Sequence, residues 1–324
     1  MIAVRNLRKE FDGFVAVDDI SFSVARGETC VLLGTSGCGK TTTLRMINRL
    51  EEPTAGDVHV EGTSVFAQKP TELRRRIGYV IQNIGLFPHY TVEQNISVVP
   101  RLLRWANNCI RSRTIDLLEM VGLPPDEFLN RYPQELSGGQ QQRVGLARAF
   151  AADPPVVLLD EPFGALDPIT RRQIQKEFKQ LDIILDKTMI LVTHDVFEAF
   201  DLGDKICLMD KGQIQQVGTP KDLIFSPKRN FVRDFFQSNR LLLELKVLQL
   251  KDLIPEITEV VPSPENVKKF KESDCVFDVL EAMEESKDLQ TLLCIVDASQ
   301  RKIRVTNTSH ILVAFNKMKS RLMV

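Results

Sequence analysis

Apolar and polar residues alternate along the first part of the chain. A period of two places successive side chains on opposite faces of a strand. Between residues 1 and 26 the apolar members of this pattern are Ile2, Val4, Val15, Val17, Ile20, Phe22 and Val24. The pattern predicts a small antiparallel sheet. Val58 and Val60, which alternate with His59 and Glu61, predict a further strand.

Continuous apolar runs occur further along the chain and alternate with stretches of helical period. Such runs are typical of strands that are buried on both faces of a parallel sheet. They lie at residues 29–33, 77–81, 156–160 and 189–193. Leu44, Ile47 and Leu50 predict one helix, Ile174 and Phe178 another, and residues 90–152 an α-helical insertion. Strands alternating with helices predict an α/β fold.

The chain of 324 residues is long enough for about two domains. From about residue 237 the composition changes to mixed charge with a proline-rich join at Pro255, Pro262 and Pro264. Beyond the join, the pattern predicts a helix at residues 276–285, strands at 292–296 and 303–305, and a final helix. We therefore expect one domain at 1–236 and a small α/β domain at 237–324.

Charge and cysteine content narrow the function classes. A net charge of -1 gives no field that attracts nucleic acid, so no nucleic-acid partner is expected. The six cysteines form no C-x-x-C pair, which indicates reduced thiols and not a disulfide frame or metal site. No apolar run reaches the roughly 18 residues of a membrane span, and no signal peptide is evident. We expect a cytosolic chain that reaches a membrane only through a partner.

The run Gly34-Thr35-Ser36-Gly37-Cys38-Gly39-Lys40-Thr41 follows an apolar strand and precedes a helix. This order forms a phosphate-binding loop, because glycines allow backbone N–H groups to approach anionic oxygens. Lys40 is expected to reach the β- and γ-phosphates of a nucleotide, and the Thr41 hydroxyl to bind Mg²⁺. The alternative is a glycine-rich turn that binds nothing.

Four polar residues follow predicted strands and are candidates for hydrolytic chemistry. Asp160 is expected to hold Mg²⁺, and Glu161 to align or deprotonate the attacking water. Gln82 offers an amide oxygen to Mg²⁺ or orients water, and His194 lies at the same predicted sheet edge. Each residue also has a purely structural interpretation.

A second anion site is predicted at the start of another helix. Leu136-Ser137-Gly138-Gly139-Gln140 precedes a helical stretch that runs through Arg143. Its small residues leave backbone N–H groups and the Ser137 hydroxyl exposed at a helix N-terminus.

Taken in order, these motifs, together with Ala165-Leu166-Asp167, resemble the nucleotide-binding subunit of an ABC transporter. The resemblance covers residues 1–236. It implies a P-loop NTPase fold: a RecA-like parallel sheet core, an antiparallel β subdomain and an α-helical signature subdomain. It also implies ATP and Mg²⁺ as cofactors, and a homodimer in which each subunit completes the ATP site of the other.

The resemblance assigns a role to each motif. Ser137, Gly138, Gly139 and Gln140 would contact ATP bound to the partner, Asp167 would couple the two sites, and His194 would contact the γ-phosphate. Phe11 would stack on adenine, although the family more often has Tyr there. The implied catalytic residues are Lys40, Gln82, Glu161 and His194, and the implied metal ligands are Thr41, Gln82 and Asp160. The implied loop contacts are Gly34, Thr35, Ser36, Gly37, Cys38, Gly39, Lys40, Thr41 and Thr42.

The transport system is also indicated by resemblance. Residues 82–96 are similar to the segment that receives a membrane subunit, and a chain without membrane spans is typical of importers. An importer ATPase of this kind lies on the cytoplasmic face of the inner membrane with a separate permease and an extracytoplasmic solute-binding protein. Residues 46–56 are similar to ATPases for the uptake of glycine betaine, carnitine and choline.

The C-terminal domain resembles a single cystathionine-β-synthase-type (CBS) module through Ala282-Met283, residues 294–297 and Val305-Thr306. Two interpretations stay open for it, a sensor of ionic strength or nucleotide and a cap that stabilises the dimer.

Two alternative functions also stay open. One is an importer ATPase for another solute, such as a polyamine, an amino acid or an oxyanion. The other is an ABC ATPase of DNA repair or the ribosome, but such proteins usually carry two cassettes, a long coiled coil or a zinc module.

Overall fold

A computed structural model describes residues 1–82, 85–164, 166–179, 186–260, 267–284 and 292–322. Residues named above that lie outside these ranges are Ala165, Pro262, Pro264 and Glu285. The chain divides into two compact units, Met1–Val217 and Gly218–Val324. The first unit ends earlier than the expected boundary at residue 236, one residue before the end of the last strand of its sheet, Gln213–Gly218.

The described strands are β1 (Ile2–Phe11), β2 (Phe14–Val24), β3 (Thr29–Gly34), β4 (Ala55–Val60), β5 (Thr63–Ser64), β6 (Ile77–Val80), β7 (Val156–Asp160), β8 (Thr188–Thr193), β9 (Lys205–Asp210), β10 (Gln213–Gly218), β11 (Val267–Lys271), β12 (Leu292–Val296) and β13 (Lys302–Thr306). The described α-helices are α1 (Lys40–Ile47), α2 (Pro70–Arg75), α3 (Val92–Leu102), α4 (Asn107–Met120), α5 (Pro125–Phe128), α6 (Gly138–Phe150), α7 (Pro168–Lys179), α8 (Val196–Leu202), α9 (Pro220–Phe225), α10 (Asn230–Phe236), α11 (Arg240–Val247), α12 (Leu250–Leu253), α13 (Val276–Glu284) and α14 (Thr308–Leu322).

The antiparallel sheet predicted at the start of the chain is confirmed. Its strand order is β2-β1-β4-β5, and Ile2 of β1 pairs with Val24 of β2 and with Val60 of β4. The alternating apolar residues point into the core, where Val4 and Val58 are buried. The polar residues between them face outward, as a sheet with one buried face requires.

The six-stranded sheet at the centre of the first unit has the order β10-β9-β3-β8-β7-β6. β3 pairs in parallel with β8 and β9, and β7 pairs in parallel with β6 and β8. Every residue of β3, β7 and β8 is buried, which explains their continuous apolar sequences. Because these strands are parallel, the carboxyl ends of β3, β6, β7 and β8 lie at one edge of the sheet.

The helix predicted after the phosphate loop is shorter than expected. The apolar spacing extended it to Leu50, but α1 ends at Ile47. Arg49 has a left-handed φ of 49°, which stops the helix, and Leu50 is 43% exposed. The α-helical insertion predicted at 90–152 is confirmed by α3, α4, α5 and α6.

The second unit contains a sheet of order β11-β12-β13, in which β11 is parallel and β13 antiparallel to β12. Its core includes Leu248, Val276, Leu293 and Phe315. The predicted strands at 292–296 and 303–305 and the predicted final helix match β12, β13 and α14. The CBS-type interpretation of this unit stays a prediction. Within the described ranges, no helix has both the length and the apolar character needed to cross a membrane.

Candidate functional site

The phosphate loop between β3 and α1 depends on glycine for its shape. Gly39 has a φ of 99°, and a Cβ at this position would lie 2.4 Å from the carbonyl oxygen of Ala16 in β2. Gly34 leaves equally little room, because its Cβ would lie 2.1 Å from the Met209 carbonyl oxygen. Side chains at either position would force the loop away from the sheet. The loop is therefore held close to β2 and β9.

Lys40 is buried within this loop. Its Nζ donates to the carbonyl oxygens of Gly34 and Thr35 at 2.9 and 2.8 Å. The Cys38 thiol is buried beside it, with Sγ 3.7 Å from Nζ, and burial raises the pKa of this thiol. Thr35, Ser36 and Gly37 are exposed at the outer side of the loop. The lysine charge thus lies beneath an exposed cradle, where it favours an anion.

Thr41 and Asp160 are brought into direct contact. The Thr41 hydroxyl donates to Asp160 Oδ1 at 2.9 Å, and Asp160 is only 2% exposed. Burial raises the pKa of the Asp160 carboxyl, and the hydrogen bond from Thr41 partly opposes that rise. The hydroxyl and carboxylate oxygens, with the amide of Gln82 at the same sheet edge, form a hard donor set that fits Mg²⁺.

Glu161 follows β7, and its carboxylate contacts one residue that follows β6 and one residue that follows β8. Its Oε2 accepts from Gln82 Nε2 at 3.1 Å, and its Oε1 lies 3.1 Å from His194 Nδ1. Its backbone N–H donates to the Val192 carbonyl at 3.0 Å, and its φ is 47°. Because the Glu161 backbone is left-handed, the Glu161 side chain points in a different direction from the buried side chain of Asp160. The structure thus brings Gln82, Glu161 and His194 together at the sheet edge.

The turn at Ser137 lies at the N-terminus of α6, where it caps the helix. The Ser137 hydroxyl accepts from the Gln140 N–H at 3.3 Å, and Gln140 Oε1 accepts from the Ser137 N–H at 2.9 Å. A Cβ added at Gly138 would meet no atom within 4 Å, and one at Gly139 would lie 3.4 Å from Thr170. Among the described residues, no hydrogen bond or ion pair joins this turn to the phosphate loop. The two predicted anion sites lie on different elements, one before α1 and one at the start of α6.

A cavity of about 630 Å³ opens beside this turn. Its lining includes Ser137, Gly139 and Gln140 of the turn, and an ion pair of 2.9 Å between Arg143 and Glu177.

Asp167 is exposed and caps α7. Its Oδ1 accepts from the N–H groups of Ile169 and Thr170, both at 3.1 Å. The hydrogen bonds from Thr170 lower the pKa of this carboxyl.

Phe11 is exposed at the turn between β1 and β2. The ring is 39% exposed, and Lys9 Nζ lies 4.5 Å from its centroid. Phe14, on the other side of the turn, is 64% exposed. The turn therefore presents two aromatic rings to the solvent.

An exposed aromatic pair also lies before α3. Phe87 and Tyr90 are 46% and 45% exposed, with ring centroids 5.2 Å apart. The fully buried Asn95 holds the loop beneath them, because it accepts from the Phe87 N–H and donates to the carbonyls of Phe87, Tyr90 and Thr91. Asn83 and Ile84, in the segment expected to receive a membrane subunit, lie outside the described residues.

Sequence reasoning missed three polar residues that support these loops: Asn95, Arg171 and Glu198. Their hydrogen-bond partners lie only four to eight residues away in the chain, but they lie in irregular turns whose conformation the apolar spacing does not specify. A capping signal at Thr91-x-x-Gln94 marks the helix that contains Asn95, but it does not identify Asn95 itself.

The chain is similar to known ATP-binding proteins. The family model described as ABC transporter matches residues 17–164. The glycine betaine/carnitine/choline transport ATP-binding protein OpuCA of Bacillus subtilis is 51% identical over 243 residues, which cover 75% of this chain. The chain spans 64% of that protein's own length.

A second relative is covered more completely. The osmoprotectant import ATP-binding protein OsmV of Salmonella typhimurium is 47% identical over 269 residues, covering 82% of this chain and 70% of the relative. Among solved structures, the ATP-binding cassette MJ0796, a dimer in a post-hydrolysis state with bound ADP and Pi, matches with a TM-score of 0.61. That match is 32% identical and covers 68% of this chain and 98% of the cassette.

Proposed function

Since this chain belongs to the ABC transporter family, we propose that it is the ATP-hydrolysing subunit of an importer for a quaternary-amine osmoprotectant such as glycine betaine, carnitine or choline. One observation carries the proposal. Glu161 contacts both Gln82 and His194 at the sheet edge that also holds the Thr41–Asp160 pair. The residues needed to bind a nucleotide and to activate water therefore meet in one place.

In this proposal the loop residues Gly34–Thr42 bind the phosphates of ATP. Lys40 exchanges its hydrogen bonds to Gly34 and Thr35 for the β- and γ-phosphate oxygens. Thr41, Gln82 and Asp160 hold Mg²⁺, which supplies positive charge against the phosphates. Phe11 offers its exposed ring to the adenine.

Glu161 orients the attacking water and takes its proton. His194, held at 3.1 Å from Glu161 Oε1, contacts the γ-phosphate, and Gln82 fixes the other carboxylate oxygen at 3.1 Å. Catalysis of phosphoryl transfer consists mainly of such positioning and charge stabilisation.

A second copy of the chain completes each site. Ser137, Gly138, Gly139 and Gln140 of one copy contact the ATP that is bound to the loop of the other, and Asp167 couples the two sites. The separation of the two anion surfaces within one chain supports this arrangement. ATP binding then closes the homodimer, and hydrolysis opens it.

The exposed Phe87 and Tyr90 are the proposed docking surface for a permease. Exposed aromatic pairs that are held rigidly from below are typical of protein interfaces. The permease places the chain on the cytoplasmic face of the membrane, and an extracytoplasmic solute-binding protein delivers the solute. The ATPase domain extends to residue 236, and residues 237–324 form a single CBS-like accessory module that senses ionic strength or a nucleotide, or stabilises the dimer.

Reconstitution with the permease and binding protein tests this function. In liposomes, glycine betaine, carnitine or choline should stimulate ATP hydrolysis at least about threefold, since solute binding promotes dimer closure. Glu161→Gln is the matched control, because it should bind ATP without turnover. Stimulation by sulfate, an amino acid or a polyamine instead would contradict the solute class. An ATPase rate in the reconstituted complex that no solute changes would contradict the transport role.

A further inference from the structure

Arg171 lies in the first half of α7 and contacts two separate loops. Its Nε donates to the Phe163 carbonyl at 3.1 Å, and its Nη2 donates to the carbonyls of Leu166 and Gly164 at 3.0 and 3.5 Å. On the other side, its Nη1 lies 3.7 Å from Asp195 Oδ2. One side chain therefore joins three carbonyl oxygens and one carboxylate.

The three carbonyls belong to the chain between Glu161 and Asp167. This turn begins with the left-handed Glu161, and its first hydrogen bond runs from the Gly164 N–H to the Glu161 carbonyl at 3.1 Å. The backbone conformation of Glu161 is unfavourable for a residue with a side chain and needs support from its surroundings. Arg171 gives that support by binding the carbonyls that follow.

Asp195 connects Arg171 to the turn that carries His194. The Asp195 N–H donates to Thr193 Oγ1 at 2.9 Å, and Asp195 Oδ1 accepts from the N–H groups of Phe197 and Glu198. These bonds fix the carboxylate relative to the end of β8. A contact made by Arg171 with Oδ2 is therefore transmitted to the backbone beside His194.

Only a guanidinium can make this set of contacts. Its five N–H donors lie in one plane and diverge toward acceptors on both sides, whereas the ammonium of lysine presents three donors from a single nitrogen. Arg171 is also fixed by its own backbone, since its N–H donates to the Asp167 carbonyl at 2.9 Å.

We propose that Arg171 is a positioning residue for ATP hydrolysis. By contacting both loops, it holds the Glu161 and His194 side chains at the right distance from each other. This inference rests on the proposed function. Arg171 touches neither Glu161 nor His194 directly, so its effect is on the geometry of the contact between them. A displacement of about 1 Å between such groups costs on the order of a hundredfold in rate.

The test measures kcat and KM for ATP in the full-length protein. Arg171→Ala should lower kcat about 30- to 100-fold with KM changed less than about threefold. The kcat of Arg171→Lys should lie between those of Arg171→Ala and the wild type, because lysine keeps the charge and part of the hydrogen bonding. Both variants are checked for folding by circular dichroism and for ATP-dependent dimerisation in the Glu161→Gln background.

Asp195→Asn is the matched control on the other loop. It retains Oδ1 as the helix cap but removes the charge that faces Arg171, so kcat should fall about three- to tenfold. The double variant Arg171→Ala/Asp195→Asn should be no slower than Arg171→Ala alone, because the two changes remove the same link.

Three results would overturn the inference: a wild-type kcat for Arg171→Ala, a loss confined to KM, or additive losses in the double variant. Absence of ATP hydrolysis by the wild type would instead contradict the proposed function, so the two failures are distinguishable.

Discussion

Glu198 is a buried carboxyl group that lies close to the site but takes no part in the proposed chemistry. It is 4% exposed, it accepts from the Thr193 hydroxyl at 2.7 Å, and its Oε1 has no hydrogen-bond partner among the described residues. Burial raises the pKa of Glu198 to about 8, with Thr193 and Arg171 lowering it and Asp195 and Glu161 raising it. The side chain is therefore protonated at neutral pH.

This protonation makes the stability of the protein depend on pH. The ordinary pKa of a glutamate, 4.5, applies to Glu198 in the unfolded chain, whereas the pKa of Glu198 in the folded chain is about 8. The folded state therefore binds the proton more tightly. The stabilisation is complete below about pH 4.5 and is lost as the pH rises through about 8. At alkaline pH the folded chain must bury the charged Glu198 carboxylate, and this lowers its stability.

Glu198→Gln should remove this dependence. The amide keeps an oxygen for Thr193 and mimics the protonated acid. Below about pH 4 the variant should match the wild type, and near pH 9 it should be more stable by on the order of 4–5 kcal/mol. Denaturant unfolding at a series of pH values measures the difference, and parallel stability curves for the two proteins would exclude Glu198 as the titrating group.

The positions of single site residues could be predicted where the chemistry requires a sequence motif. Lys40, Thr41, Asp160, Glu161 and His194 follow strands whose apolar sequences fix their positions, so their meeting at one edge could be expected. Asn95, Arg171 and Glu198 could not be predicted in this way. Their hydrogen-bond partners are backbone groups or a hydroxyl four to eight residues away, in irregular turns that no apolar period marks.

At the scale of elements, the loop before α3 shows how one polar residue shapes a surface. Asn95 replaces the missing backbone hydrogen bonds of the loop by accepting from the Phe87 N–H at 2.8 Å and donating to three carbonyls at 3.0–3.1 Å. The loop keeps its aromatic rings exposed because its backbone is satisfied from below.

Asn95→Ala should therefore uncouple the ATPase from the permease. The substitution leaves buried donors and acceptors unpaired, which costs about 1–3 kcal/mol locally and loosens the loop. Solute-stimulated hydrolysis in liposomes should fall about tenfold, while basal hydrolysis by the isolated protein stays within about twofold. Phe87→Ala, which removes one exposed ring but keeps Asn95, should show the same separation. Equal loss of both activities in either variant would argue against a docking role.

Element prediction succeeded where apolar pattern and burial agree and failed where they do not. β7 and β8 are apolar and fully buried, and their sequences predicted them. β11 was not predicted, because Val267–Lys271 contains three lysines and four of its five residues are exposed at a sheet edge. The helices α9, α10, α11 and α12 are short, at 4–8 residues. No prediction was made for α9 and α10, and α11 and α12 lie where the sequence indicated only a loose join.

At the scale of the whole molecule, the two predicted phosphate sites of one chain lie on different elements. The loop at Lys40 lies at the end of β3, and the turn at Ser137 lies at the start of α6. In the proposed homodimer, a second copy in head-to-tail orientation would bring each turn to the opposite loop, and two-fold symmetry would form two equivalent sites. The ATP-dependent pairing of two copies is the central claim about this protein.

Mixing two inactive variants tests this claim most directly. In a mixed dimer of Lys40→Ala and Ser137→Asn, one site combines an intact loop with an intact turn, while the other site carries both defects. Asn at position 137 keeps a capping side chain for α6, so the helix should remain folded. The control mixes Lys40→Ala with Glu161→Gln, whose defects lie in the same half-site and leave no intact site in any dimer.

The measurement is the ATPase rate of each mixture relative to the separate variants and to the wild type. We predict recovery of up to about a quarter of the wild-type rate for Lys40→Ala with Ser137→Asn, because half of the dimers are mixed and each has one intact site. The control mixture should show no recovery. Absence of recovery in the first mixture, or equal recovery in both, would contradict a site shared between two copies.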